Sequence, residues 1–383
     1  MKIFYISGAV IPSRKANSIQ VMRMCEAFSQ IGHDVTLFSG SGNATDGETD
    51  FAGYGVESNF TIIKRLRPGI PIAKSLIYAV DVWRAVSSSR YPDLFYAREP
   101  YALAGLCHLG IPFLYEAHSP PVGPRKWIEN RIFRSHCFRR LIVISESLRR
   151  EYVRLYPWLP AKAITVAHDA AQPYRRAGSN DTPVISGQRD GCIQVGYVGH
   201  LYRGRGIEVI IQLAKRFPDS DFHVVGGDRK DILRWIASTG SIQNIYFHGF
   251  APPSQCDKYL TSFDVVLAPY QRNVFVSGGK TETSRWMSPL KIFEYMSAGK
   301  AIIASDLPVL REVLEHDHNC LLVEPDNIEA WSAAIERLKN AELRMRLGAA
   351  AQKQFEREHT WDKRAETVLR PLVQAKGAQE CVV

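Results

Sequence analysis

One pattern constrains this chain more than any other, and the chain runs through it twice: short β-branched or aromatic runs, each followed by a longer stretch of helical period. Residues 2–7, 35–39, 60–64, 94–96, 113–116, 141–144 and 164–166 read as strands. Helical stretches separate most of them, among them 18–31, which stops at Gly32, where a glycine can close a helix. The pattern restarts at 194–198 and continues through a helix at about 206–217 and strands at 222–225, 245–247, 265–268, 301–304 and 320–323. Consecutive parallel strands need a crossover, and a helix supplies it, so alternation of this kind builds a parallel sheet covered by helices on both faces. Two series therefore predict an α/β chain of two doubly wound, Rossmann-like domains. Between them, residues 171–191 are rich in Gly, Ser, Asn, Asp, Pro and Arg and read as a linker, which sets the domains at 1–180 and 181–383. Ligands of open parallel sheets sit beyond the carboxyl ends of the strands. Two such domains facing one another would hold a cleft between those ends. A last helical stretch, 361–373, can cross back to the first domain.

Composition narrows the class. With 383 residues, 45% hydrophobic and 23% charged, the chain is long enough for two cores and too apolar to be disordered. No run approaches the roughly 18 apolar residues that a membrane helix needs, and the N-terminus reads as a first strand rather than a signal peptide. Seven scattered cysteines, never spaced as CxxC, argue against a disulfide framework or a zinc site and for a reducing cytoplasm. The net charge of +9 lies wholly in the first half: residues 1–180 hold 23 Lys/Arg against 14 Asp/Glu, and residues 181–383 hold 25 of each. Much of the excess falls between Arg125 and Arg154, interleaved with Trp127, Phe133, Phe138 and Tyr152. This is either a solvated helix face or a basic, aromatic surface for anionic lipid or a phosphate-bearing acceptor. Nucleic acid is not expected, since no recognition motif accompanies the charge.

Two motif look-alikes carry little. Asp219-Ser220-Asp221 imitates a metal-binding DxD but sits beside a proline between helix and strand, and reads as a turn. Gly278-Gly279-Lys280-Thr281 imitates the end of a P-loop, but Val274 stands where its leading glycine belongs, so it reads as a loop over the cleft. No GxGxxG follows the first strand, which counts against a dinucleotide oxidoreductase.

The chemistry concentrates in two segments of the second domain. In Ser288-Pro289-Leu290-Lys291-Ile292-Phe293-Glu294, Ser288 suits an N-cap and Pro289 a first helical position. Such a helix start offers free backbone N–H groups to a diphosphate, and Glu294, further along, can accept from both hydroxyls of a ribose. A plain Lys291–Glu294 ion pair on a helix surface is the alternative. The other segment, Gly199-His200-Leu201-Tyr202-Arg203-Gly204-Arg205-Gly206, follows a strand and precedes a helix. Glycines admit a close backbone approach, and arginines can neutralise phosphate oxygens. Taken alone it could equally be a surface turn.

Together these segments, with Ser305-Asp306-Leu307-Pro308 after the next strand, resemble glycosyltransferase family 4. The first half agrees in Ala16-Asn17-Ser18-Ile19-Gln20, Gly32-His33-Asp34-Val35, Tyr115-Glu116-Ala117-His118 and Val143-Ile144-Ser145-Glu146-Ser147, so the resemblance spans nearly the whole chain. It implies the GT-B fold, retention of anomeric configuration and no required metal or cofactor, the donor being a nucleotide-diphosphate sugar. It further implies that Glu294 holds the donor ribose and Arg205 the diphosphate. Ser288, Pro289 and Leu290 present backbone to phosphate or sugar, with Lys291, His200 and Arg203 beside them, and His118 contacts the transferred sugar. Catalysis would then rest on His118, Glu294 and Arg205. For the acceptor, the loop after the first strand and the next helix start offer Gly8, Asn17 and Ser18, with Arg98 and Glu99 at another strand end. Two positions depart from the family pattern: Trp286 stands where a first glutamate belongs, and His200 where an arginine is frequent. The expected acceptor is a lipid-linked or surface-polysaccharide glycan, and the expected location the cytoplasm, at the inner face of the membrane. A sugar-nucleotide epimerase of the same fold and a silent nucleotide-sugar-binding scaffold are the rival readings.

Overall fold

A computed structural model describes residues 1–41, 50–65, 73–174, 185–275 and 282–380. The chain divides into two compact units, one formed by Met1–His168 with Trp361–Val383, the other by Asp169–Thr360. Residues 175–184 of the linker, residue 180 among them, fall outside the described residues, as does the Gly278–Thr281 segment.

The first unit contains β1 (Lys2–Ile11), α1 (Ala16–Gln30), β2 (Asp34–Ser41), β3 (Thr61–Arg65), α2 (Ala73–Ser87), β4 (Leu94–Ala97), α3 (Pro100–Leu106), β5 (Phe113–Ala117), α4 (Arg125–Phe133), β6 (Phe138–Val143), α5 (Glu146–Leu155) and β7 (Ile164–Val166). All seven strands are parallel, in the order β3-β2-β1-β4-β5-β6-β7. Alternate residues of β1 feed opposite cores: Tyr5 packs with Phe28 and Tyr96, and Phe4 with Phe38 and Phe95. The strand order reverses between β1 and β4, and such a switch point opens a crevice at the carboxyl ends of the strands.

The second unit contains β8 (Ile193–Val198), α6 (Ile207–Arg216), β9 (Ser220–Val225), α7 (Arg229–Thr239), β10 (Ile245–Gly249), α8 (Pro253–Ser262), β11 (Val265–Ala268), α9 (Leu290–Ser297), β12 (Ala301–Ser305), β13 (Leu321–Val323), α10 (Ile328–Arg337) and α11 (Ala341–Glu358). Its six parallel strands run β10-β9-β8-β11-β12-β13, with the switch point between β8 and β11. In β12, Ile302 and Ala304 join one core with Phe293 of α9, while Ala301 and Ile303 join the other with Trp331 of α10. Helices therefore cover both faces, as the near-continuous apolar strands require.

The last helix, α12 (Trp361–Glu380), follows the second unit in the chain but belongs to the first, where it packs against α1. Trp361, Ala365, Val368 and Leu369 are buried at helical spacing.

Two readings of the sequence are corrected. Only Asp219 of the Asp-Ser-Asp triplet lies in the turn. Ser220 and Asp221 begin β9, and buried Asp221 accepts from the Arg189 side chain at 2.7 Å and from Gln194 at 3.0 Å. Of the aromatics between Arg125 and Arg154, only Trp127 is exposed; Phe133 and Tyr152 are core, and Arg125 is held by buried Glu129 at 2.6 Å. Their rings meet edge to face, centres 6.3 Å apart, in the core of the first unit.

Candidate functional site

In the second unit the glycine segment follows β8 directly and leads into α6. Gly204 and Gly206 have φ of 84° and 79°, and a side-chain carbon at either would run into the backbone carbonyl of Asn273 or Pro269. Only glycine fits both demands. Gly199 (φ 150°) and Gly226 (φ 123°) meet in the same way, since a carbon on Gly226 would strike the Gly199 carbonyl. The turn between β8 and α6 is thus drawn tightly against its neighbours, and it carries His200, Arg203 and Arg205.

These three residues differ in what they face. Arg203 is exposed, its guanidinium 5.3 Å from the Phe275 ring centre. His200 stacks on Tyr202, ring centres 4.8 Å apart, and burial followed by the charges of Arg205 and Lys291 pushes its pKa down to about 4. It is a neutral imidazole at neutral pH. Arg205 is half-buried, 5.3 Å from the Tyr270 ring centre, and its buried Nε has no hydrogen-bond partner among the described residues.

Helix α9 starts one residue later than the sequence suggests. Pro289 is the N-cap, at φ −77° and ψ 121°, and no side chain caps the first turn. Ser288 sits one residue before the cap, where its hydroxyl accepts from the Asp169 amide at 2.8 Å, a partner distant in sequence. Leu290 is the first helical residue, and Glu294 lies half-buried one turn on.

Lys291 is the exceptional residue. It is 7% exposed, and its ammonium has no hydrogen-bond partner among the described residues. The Lys291–Glu294 ion pair considered from sequence is not formed; Nζ instead stands 3.5 Å from the Tyr197 ring centre. It also lies so near Gly199 that a side-chain carbon there would meet it at 2.7 Å. Burial, then the neighbouring Arg205 charge, hold it well below the ordinary lysine range, with Glu294 acting against them. Two buried cationic nitrogens without hydrogen-bond acceptors among the described residues, beside a glycine turn at a switch point, form a place for an anion.

In the first unit, the crevice at β1 and β4 gathers other residues. His118 follows β5 and Arg98 follows β4. Glu116, wholly buried, accepts at Oε1 from His118 Nε2 (2.6 Å), Gln20 Nε2 (2.9 Å) and Arg364 (2.9 Å), and at Oε2 from Arg364 (3.4 Å) and the Tyr96 hydroxyl. Burial alone would raise its pKa; the Arg364 guanidinium and then the His118 hydrogen bond hold it well below the carboxylate range. Arg98 donates to the Gln20 side-chain oxygen and to the Asn17 carbonyl. Burial and then the Arg98 charge push His118 down to about 4, against the pull of Glu116.

The other residues named for an acceptor are placed unequally. Asn17 is exposed beside Arg98, and Gly8 lies on β1 where the register shifts between Ile6 and Val10. Ser18 is buried, its hydroxyl donating to the Val10 carbonyl at 3.1 Å, and Glu99 caps α3 by accepting from Ala102 at 2.7 Å; both are structural. Sequence reasoning missed Glu116 and Arg364 as site residues, although Glu116 and His118 are two apart at a strand end and so share a face.

A family profile described as Glycosyltransferase Family 4 matches residues 18–171, and one described as Glycosyl transferases group 1 matches residues 180–354. Between them the two profiles account for most of the chain and make it a glycosyltransferase of the family 4 type. The glycosyltransferase is 25% identical over 146 residues to a putative teichuronic acid biosynthesis glycosyltransferase, TuaH, of Bacillus subtilis, covering 36% of this chain and 34% of that protein. It is 27% identical over 205 residues to the phosphatidyl-myo-inositol mannosyltransferase of Mycolicibacterium smegmatis, covering 52% of this chain and 49% of that one. The matched stretch thus spans a third to a half of these relatives' own length. Among solved structures, sucrose-phosphate synthase of Thermosynechococcus elongatus superposes with a TM-score of 0.72 at 18% identity, over 99% of the glycosyltransferase and 100% of that chain. Anabaena HepE in complex with UDP gives 0.72 at 16%, over 98% and 100%. The fold is GT-B. Among the described residues no helix is long and apolar enough to cross a membrane.

Proposed function

We propose that this glycosyltransferase retains configuration and needs no metal, moving a hexosyl group from a nucleoside-diphosphate sugar to a hydroxyl of a lipid-linked or surface glycan. The observation that carries this reading is the pair of buried cationic nitrogens, Lys291 Nζ and Arg205 Nε, left without hydrogen-bond acceptors among the described residues beside the glycine turn and the start of α9, which no side chain caps. Burying a cation unpaired is costly, and a diphosphate that accepts from both removes that cost. The leaving diphosphate of a sugar transfer needs this kind of stabilisation. Its ribose then lies against Glu294, with His200 and Arg203 along the turn. His118 is the residue of the first unit that meets the transferred sugar, with Asn17 and Arg98 on the acceptor side.

With no carboxylate nucleophile assigned, the reaction runs as a same-face, oxocarbenium-like displacement in which the leaving phosphate helps deprotonate the acceptor hydroxyl. HepE, of the same fold, has been solved with UDP and with UDP-glucose. The names of the teichuronic acid and phosphatidyl-inositol relatives favour a cell-surface or lipid acceptor. Exposed Trp127 and Val122 beside exposed Lys126 and Arg131 suit contact with an anionic membrane from the cytoplasmic side.

Thermal-shift titration with UDP, GDP and ADP and their sugar conjugates, beside Glu294→Ala, tests the donor site. A selective rise in melting temperature for one base, lost in the variant, supports it. No rise with any nucleotide would favour a silent scaffold. Conversion of a nucleotide sugar without any acceptor would favour the epimerase.

A further inference from the structure

The five hydrogen bonds at Glu116 exceed what one carboxyl needs to be satisfied, and this excess has a consequence for His118. An ionised carboxylate offers about four lone-pair sites and no proton. All five bonds to Glu116 come from donors: His118, Gln20, two from Arg364, and the Tyr96 hydroxyl. The Gln20 amide is fixed in sense, because its oxygen accepts from Arg98 while its nitrogen donates to Glu116. No room is left for a proton on Glu116, so the proton of its bond with His118 must sit on Nε2. In a neutral imidazole the other nitrogen, Nδ1, then carries a bare lone pair. His118 keeps a quarter of its side-chain surface exposed, whereas Glu116 and Arg364 are at 0% and 2%.

Arg364 is the group that makes this possible. It reaches Glu116 from α12, 248 residues away in sequence, and is itself pinned by the carbonyls of His168 (2.9 Å) and Ala167 (3.3 Å). The charged groups acting on His118 are Glu116 on the strand that precedes it, Arg98 after β4 and Arg364 on α12; Tyr96 and Gln20 bond Glu116, and Tyr5 lies beside it. Arg364 is the only one of these cations that bonds Glu116 directly among the described residues. Without it a buried carboxylate would take up a proton, and a protonated Glu116 would donate to Nε2 and drive the imidazole proton to Nδ1.

We propose that Arg364 is a positioning residue for sugar transfer: by keeping Glu116 a pure acceptor it fixes His118 as the Nε2–H tautomer, with Nδ1 free to accept from a hydroxyl of the transferred sugar. The second half of this statement rests on the donor reading above; the tautomer itself does not. The C-terminal helix is therefore part of the chemistry of the first unit.

The test is nitrogen-15 NMR of histidine-labelled full-length protein at neutral pH, with His118 assigned from His118→Asn. Wild type is expected to display a protonated Nε2 and an unprotonated Nδ1. Arg364→Met and Glu116→Gln are expected to mix or invert the tautomer, and Arg364→Lys to restore it. Transfer turnover should fall about 10- to 100-fold in the first two variants, the loss of one charge-assisted or strong hydrogen bond, with the donor KM little changed. A wild-type His118 that is imidazolium, or protonated at Nδ1, overturns the proposal without any variant. So does a folded Arg364→Met whose His118 keeps the Nε2 proton, or inversion with undiminished turnover. If the wild type binds no nucleotide sugar, the donor reading fails, and the spectrum of the free protein still decides the tautomer.

Discussion

Lys291→Met should change stability and donor affinity in opposite directions. In the free protein the ammonium is buried and lacks a hydrogen-bond acceptor among the described residues; the Tyr197 ring 3.5 Å from its nitrogen, the Tyr270 ring at 5.3 Å and the Glu294 charge compensate it in part. A desolvated cation over an aromatic face gains about 2 kcal/mol, whereas withdrawing an ion from water costs several kcal/mol. The desolvation cost therefore outweighs the attraction to the ring. Methionine matches the volume and unbranched shape of the stem and packs on aromatic rings. The exchange should therefore stabilise the free protein by about 1–3 kcal/mol. At about 2–4 °C per kcal/mol for a unit of this size, the melting temperature should rise by several degrees. The bound state moves the other way, because one charge-assisted bond to the diphosphate is lost, about 1.5–3 kcal/mol, or roughly 10- to 150-fold in Kd. Calorimetric melting of the free protein and titration of a nucleoside diphosphate read the two quantities separately. A lower melting temperature with unchanged affinity would refute the reasoning and make Lys291 a structural cation.

Other expectations follow from single contacts. Gly206→Ala must hold φ near 79° and push a carbon into the Pro269 carbonyl; it should cost more than about 1–2 kcal/mol in urea unfolding. Ser288→Ala removes the bond to the Asp169 amide and should cost about 1 kcal/mol in the same assay with nucleotide affinity retained. Asp221→Asn loosens the Arg189 and Gln194 contacts and should lower the melting temperature. Because the Asp221 carboxylate is engaged by Arg189 and Gln194, nucleotide binding by this variant in a chelator should match wild type.

The fold was legible because strands buried on both faces read as short apolar runs, and two series of them with intervening helical periods permit few architectures. Boundaries were less so. The first strand runs on to Ile11 because the register shifts between Ile6 and Val10, an irregularity that no run of residue types announces. At α9 the Ser-Pro signal placed the cap one residue early; Ser288 is engaged by an amide 119 residues away. Burial misled in the same way between Arg125 and Arg154: a basic stretch with aromatics looks alike whether the rings face solvent or, as with Phe133 and Tyr152, the core. The glycine turn and Glu294 could be read locally. The partnership of Glu116 and Arg364 could not, because nothing near either residue anticipates a contact 248 positions away.

The two sites handle charge by opposite means, and this makes a further prediction about protons. Glu116 and its donors are mutually satisfied within the first unit, so little should titrate there near neutral pH. Lys291 Nζ and Arg205 Nε lack hydrogen-bond acceptors among the described residues, and a folded-state lysine held well below its ordinary range binds fewer protons than the unfolded chain does. Between those two values stability rises with pH, and it is lower on the acid side, where folding must bury the charge. A diphosphate beside Nζ favours the ammonium and lifts its pKa, so binding at a pH above the free-state value must draw a proton from solution. His200 can contribute only in more acid solution, because it starts from about 4. Titration calorimetry of a nucleoside diphosphate in buffers of different ionisation enthalpy, at a pH where the nucleotide is fully ionised, counts that proton directly. Wild type should take up a fraction of a proton that grows as the pH rises past the free-state value of Lys291, and Lys291→Met should take up none. Equal uptake in both would assign the proton to another group, and the unpaired lysine could then no longer be the feature that draws the donor's charge into this unit.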